Sequence, residues 1–221
     1  MSNVIFVKTC PPPPICERDI WRYAGSKGAD PTMAALLRTC LAEVQDKLVY
    51  RVCYRRLPVA VYGEVCDFGV LQLKSKGLAA NLQGCDEAVL FAATVGVEID
   101  RLIAKYGHLS PAKALLFQAI GAERIEALCD AFCRVMADEM GKGLKSRFSP
   151  GYGDLPLDVQ RELFSLLDCS RQIGLTLNDS LLMSPSKSVT AFAGVCDTNT
   201  QQPKSKCASC RMQDCDFRGA V

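Results

Sequence analysis

The stretch from Pro111 to about Met140 predicts one long helix, and it constrains the fold more than any other segment. Proline is tolerated at a first helical position, and Leu116, Ile120, Ile125, Leu128, Phe132 and Val135 recur at helical spacing to form an apolar stripe. Gly141 and Gly143 end it. A helix of this length needs a broad partner surface for that stripe. The segments before it supply strands. From Leu48 to Leu73, Val49, Tyr50, Val52, Tyr54, Val59, Val61, Tyr62 and Val65 give β-branched and aromatic enrichment with partial alternation, as in paired strands. Ala88 to Val95 is a continuous apolar run bounded by turn residues, which fits a buried strand.

Shorter helices complete the reading. Glu17 to Tyr23 reads as a helix stopped near Gly25, and Val97 to Tyr106 as another. Asp30-Pro31 is a capped start for a helix to about Asp46, with Met33, Leu36, Leu37, Cys40, Leu41 and Val44 on one face. Leu157 to Leu167 is amphipathic, and a final strand pair is expected over Ser180 to Val195. Cys10-Pro-Pro-Pro-Pro-Ile-Cys16 cannot be helical and predicts a polyproline II arm. Strand blocks and helices without regular βαβ alternation predict an α+β fold: a twisted antiparallel sheet packed with several helices.

With 221 residues and 49% hydrophobic content, the chain can bury one substantial core. After Val195 the composition turns polar and cysteine-rich. The expected division is therefore 1–195 as the folded domain, with 1–30 as arm and entry helix, and 196–221 as a tail. A formal charge of +2, with acids and bases interspersed, gives no nucleic-acid-binding stripe or polybasic anchor. No apolar run approaches the roughly 20 residues of a membrane span. The N-terminus lacks the features of a signal peptide. A cytoplasmic protein is expected, with no nucleic-acid or membrane partner.

Thirteen cysteines in such a chain point to buried small side chains plus a candidate metal site. Cys40, Cys53, Cys129, Cys133 and Cys169 fall in apolar-periodic segments and read as core. Cys207, Cys210 and Cys215 form a C-x2-C-x4-C run, with Cys196 upstream as a candidate fourth ligand. Zinc, a [4Fe–4S] cluster, and free or transiently disulfide-bonded thiols all remain open for these four. The single histidine, His108, lies near a helix start and reads as structural.

Arg147-Phe-Ser-Pro150-Gly151-Tyr152-Gly153 has the chemistry of a binding loop. Glycine permits close backbone approach, tyrosine offers a flat face, and arginine a bidentate clamp for a carboxylate. This run is followed by an amphipathic helix and then by Ile173-Gly174-Leu-Thr-Leu-Asn-Asp179-Ser180-Leu-Leu-Met183-Ser-Pro185-Ser-Lys187-Ser188-Val189-Thr190. Together they resemble the activation (reactivation) domain of vitamin B12-dependent methionine synthase, best over about Gly121 to Val195. The entry segment Glu17-Arg-Asp-Ile-Trp-Arg-Tyr-Ala-Gly25 resembles that of stand-alone members.

The resemblance implies binding of S-adenosylmethionine and its presentation to an oxidised cobalamin, which one electron and the methyl group restore to methylcobalamin. It implies that Arg147 holds the ligand carboxylate, that Ser149, Pro150, Gly151 and Tyr152 form the site, and that Asp130 meets the ligand ammonium. With no Asp-x-His-x-x-Gly motif, the corrinoid is expected on a partner methionine synthase or other corrinoid methyltransferase. An electron-donor protein, or a cluster in the cysteine tail, would supply the electron. Two departures stand out: Ala193 replaces the second aromatic of the family strand, and glycines replace acids before the Arg147 loop. The Ala193 departure favours the alternative of a metal-stabilised, non-catalytic binding or redox-sensing module, whereas the intact Arg147 to Tyr152 loop argues against it. An independent small-molecule methyltransferase fits poorly, because no glycine-rich loop follows a strand.

Overall fold

The computed structural model describes residues 4–26 and 30–197. The elements run β1 (Phe6–Thr9), α1 (Glu17–Tyr23), α2 (Pro31–Val44), β2 (Arg51–Pro58), β3 (Ala60–Tyr62), β4 (Val65–Asp67), β5 (Gln72–Lys74), α3 (Lys76–Leu82), β6 (Glu87–Thr94), α4 (Glu98–Leu109), α5 (Pro111–Met140) and β7 (Gly143–Leu144). They continue with a 3-10 turn (Leu157–Val159), α6 (Gln160–Leu167), α7 (Cys169–Ile173), β8 (Thr176–Leu177), β9 (Met183–Ser184) and β10 (Ser188–Cys196). The main sheet has the order β1-β2-β6-β10-β7, and every pairing in it is antiparallel. The α+β architecture with a helix-packed antiparallel sheet is thus the one expected.

The sheet is covered on both faces, which explains why β6 reads as an unbroken apolar run. Alternate side chains point to opposite faces of a strand. Val89, Phe91 and Ala93 enter one core with Leu37, Cys40, Ile99, Leu116, Ile120, Leu128 and Phe132, from α2, α4 and α5. Ala88, Leu90 and Ala92 enter a second core with Leu78, Leu82, Leu163, Leu167 and Cys169, from α3, α6 and α7. A fully buried ring such as Phe91 contributes about 1.5–3 kcal/mol over its exposed state.

α2 begins as expected, with the Asp30 side chain accepting from the Met33 N–H at 2.8 Å and Pro31 at the first position. α5 spans 30 residues and ends at Gly141, whose φ of 59° is left-handed. One stripe residue is misplaced: Val135 is 44% exposed, and Met136 takes the core position. The expected strand pair over Ser180 to Val195 is also corrected. That segment holds the short strand β9, which pairs with β8 just ahead of the segment, and then the single strand β10, which pairs with β6 and β7. Pro185 has no N–H to extend a ladder between them. Cys40, Cys53, Cys129 and Cys169 are buried as expected, and Cys133 is half-buried. His108 lies exposed in the last turn of α4, just ahead of α5.

Candidate ligand-binding site

β7 leads into an extended segment that follows the edge of β10. Lys145 N–H donates to the Gly194 carbonyl at 2.8 Å, and Phe148 and Phe192 exchange backbone bonds of 2.9 and 2.8 Å. This pairing sets side-chain direction. The Phe148 side chain packs with the α3–α6 core, and Arg147, one residue earlier, turns towards α5. There its Nη2 donates to Glu126 Oε2 at 2.6 Å, and its Nη1 donates to Asp130 Oδ1. Glu126 and Asp130 are four residues apart on α5 and therefore share a face.

Arg147 is 20% exposed at its side chain, against 42% for Glu126 and 56% for Asp130. Burial works against the guanidinium charge, but the carboxylates of Asp130 and Glu126 outweigh it and raise the pKa, so Arg147 stays charged. Burial pushes the Cys129 thiol far above the ordinary range, which keeps it neutral. Burial also raises Cys133, with the Arg147 guanidinium opposing it.

Two clefts meet at Asp130. One, of about 340 Å³, is lined by Arg147, Asp130, Cys133, Arg134 and Lys145 among others. The second, of about 410 Å³, lies between α5 and the N-terminal arm and is walled by Pro13, Pro14, Asp19, Tyr23, Glu126 and Asp130. The arm is pinned by a buried ion pair. Arg124 donates to the carbonyls of Pro13 and Pro14 at 2.6 and 2.7 Å, and Glu123 accepts from the Cys16 N–H at 3.0 Å. Arg124 and Glu123 also pair with each other.

Of the six expected ligand residues, Arg147 and Asp130 are in direct contact. Ser149, Pro150, Gly151 and Tyr152 form the turn that follows. Tyr152 N–H donates to the Ser149 carbonyl at 3.0 Å, and Gly151 N–H to the Leu155 carbonyl at 2.9 Å. Gly151 has φ 85°, a conformation disfavoured for residues with a Cβ. Tyr152 is 46% exposed, edge-on to Phe148 with ring centres 6.1 Å apart. Ala193 is fully buried in the α5-facing core. Sequence reasoning missed Glu126 and the arm clasp; the four-residue spacing of Glu126 and Asp130 was the available signal.

Cys196 closes β10, buried, opposite Gly143. Cys207, Cys210 and Cys215 lie outside the described residues. Among the described residues, no group of three or more His, Cys, Asp or Glu side chains could hold a metal ion. No described helix is long and apolar enough to cross a membrane.

Residues 78–202 match the family model described as vitamin B12 dependent methionine synthase, activation domain. The chain belongs to that family. The matched segment runs from α3 through β10 and contains Glu126, Asp130 and the Arg147–Tyr152 loop. Among solved structures, the activation-domain chain is similar to the MetH reactivation domain bound to AdoHcy, with a TM-score of 0.64 and 14% identity. That likeness covers 86% of this chain and 78% of the other, and at such identity it is one of fold. No curated protein sequence matches this activation-domain chain.

Proposed function

We propose that the protein binds S-adenosylmethionine at Arg147 and presents it to a corrinoid carried by a partner methionine synthase or other corrinoid methyltransferase. The observation that carries this reading is the Glu126–Arg147–Asp130 cluster at the meeting of two clefts, in a chain of the activation-domain family. The AdoHcy complex of the similar MetH domain supports it.

An α-amino acid end carries one carboxylate and one ammonium group. The carboxylate can take the guanidinium in bidentate fashion, and the acids it displaces can receive the ammonium. The zwitterion adds one charge of each sign, so the swap leaves the charge balance at the mouth unchanged. The ligand supplies an electrophilic methyl group; Arg147, Asp130 and Glu126 fix its amino-acid end, with Ser149, Pro150, Gly151 and Tyr152 beside them. Rate would come from holding the methyl in line with the metal of the partner, and no nucleophile or general base is required of this chain. The setting that fits this chemistry is cytoplasmic, with one electron per event from a donor protein. Calorimetric titration tests the reading. S-adenosylmethionine should bind the wild-type protein, and Arg147→Ala should weaken it at least about tenfold, the loss of a charged bidentate contact. No binding at millimolar ligand removes the reading.

The second reading keeps the fold without methyl transfer, as a metal-stabilised binding or redox-sensing module. The burial of Ala193, which leaves no aromatic at that family position, favours it. In either reading, Cys207, Cys210 and Cys215, with Cys196, are proposed to hold zinc or an iron–sulfur cluster. For Cys196 this requires its thiol to leave the packing against Gly143. Iron, sulfide and zinc analysis after anaerobic purification decides: stoichiometric iron and sulfide supports an electron relay, and zinc alone sinks it.

A further inference from the structure

α3, a helix the sequence did not announce, holds the binding segment at three places. Asn81 Nδ2 donates to the Ser146 carbonyl at 3.1 Å, immediately before Arg147. Gly77 lies against Phe148, immediately after it: an added Cβ would come within 2.9 Å of the Phe148 ring. At the far end, the Asp154 carboxylate accepts from Ser75 Oγ at 2.6 Å, from the Lys76 N–H at 2.7 Å and from the Gly77 N–H at 3.0 Å. The Ser75 hydroxyl is fixed in turn, because its oxygen accepts from the Leu78 N–H at 3.0 Å as the helix cap. The loop is therefore tied to one rigid element at both ends, with Gly151 and Gly153 in left-handed conformations between the ties.

We propose that Asp154 is a positioning residue for the ligand loop, seating the Ser149–Gly153 turn on the first turn of α3 so that Tyr152 and the loop backbone face the Arg147 site. This rests on the ligand-binding reading above. Asp154 acts through the loop, because three donors of α3 and its cap already engage its carboxylate. Hydrogen bonds from a hydroxyl and two backbone N–H groups to an ionised carboxylate are short and strong, and they favour the charged form. The Asp154 carboxyl is accordingly held down to about 2, by Ser75 first and then by the Gly77 and Lys76 N–H groups. It is ionised at neutral pH. Without it, the turn loses this tie to α3, while internal bonds such as Tyr152 N–H to Ser149 and Leu155 N–H to Tyr152 remain.

The test uses the full chain in three forms: wild type, Asp154→Ala and Asp154→Asn. Hydrogen exchange is read over residues 149–155, with calorimetric titration of S-adenosylmethionine alongside. In Asp154→Ala, exchange in the loop should rise about tenfold or more while β6 and β10 stay protected, and ligand affinity should fall about tenfold. Asp154→Asn, which keeps one acceptor oxygen and the side-chain shape, should recover part of both. Loop exchange equal to wild type in the alanine variant overturns the proposal. Faster exchange with unchanged affinity also overturns it, leaving Asp154 a structural tie only. If wild type itself binds no ligand, the functional reading has failed, and exchange alone decides whether Asp154 seats the loop.

Discussion

Two arginines on or facing α5 show how one residue type serves two ends. Arg147 meets Glu126 and Asp130 at a mouth where both acids are more than a third exposed, so a zwitterion can exchange with its partners. Arg124 is closed in, 2% exposed, with Glu123 at 3%. Its five-donor fork takes the carbonyls of Pro13 and Pro14 as well as the Glu123 carboxylate, a set that lysine could not span. The prolines make the arm extended, and the arginine makes it stay. Arg124→Met leaves Glu123 as a buried unpaired charge, and the expected cost is about 3–5 kcal/mol in urea denaturation. The double variant Glu123→Leu, Arg124→Met should cost less than the single one, because no buried charge is left behind. Equal costs would mean that the pair does not determine the arm's attachment.

At the level of elements, close approach sets the limits. Gly121, inside α5, lies where a Cβ would come within 2.8 Å of both Ile99 Cγ2 and Lys187 Cγ. Glycine normally weakens a helix by about 1 kcal/mol relative to alanine. Here the packing of α4 and the segment before β10 onto α5 reverses the sign: Gly121→Ala should lower the melting temperature, an overpacking cost of about 1–3 kcal/mol exceeding the helix gain. A rise in melting temperature would show that Lys187 yields freely.

The same geometry explains what could be read from the chain. α5 and β6 were legible because their patterns reflect burial, on one stripe and on two faces respectively. α3 was not, because seven residues from Lys76 to Leu82, with a glycine among them, carry too little periodicity to register. Its one signal was Ser75 as a cap. β1 was missed because its side chains at the sheet edge are largely exposed, so it carries no burial pattern. The Arg147 loop was legible as a motif, yet its partner Glu126 looked like any solvent-face acid until the fold brought Arg147 across from the far edge of the sheet.

At the scale of the whole molecule, two functions are proposed for different parts of the chain. Both faces of the sheet are covered by helices, so the described clefts lie at its margins: two where the arm, α5 and the β7 edge meet, and a further one of about 500 Å³ beside the ends of β2, β6 and β10. Every contact named for Arg147, the clasp that holds the arm and the seat of the binding loop lie between Pro13 and Asp197. β10 itself closes onto β7 through Cys196 and Gly143, so the sheet is complete there. The candidate metal ligands Cys207, Cys210 and Cys215 all follow that point. If ligand capture belongs to the sheet and its helices, and electron delivery to the tail, removing the tail should take away one without the other. A chain ending at Asp197 is expected to bind S-adenosylmethionine within about twofold of the full chain, a difference well below the 1.4 kcal/mol of a tenfold change. Its bound iron or zinc should be lost, with reductive methylation of a partner corrinoid falling only if the tail carries the electron. Calorimetry and metal analysis on the two lengths check this together. A loss of ligand affinity beyond tenfold would place residues after Asp197 in the binding site, and the division of labour between sheet and tail would not hold.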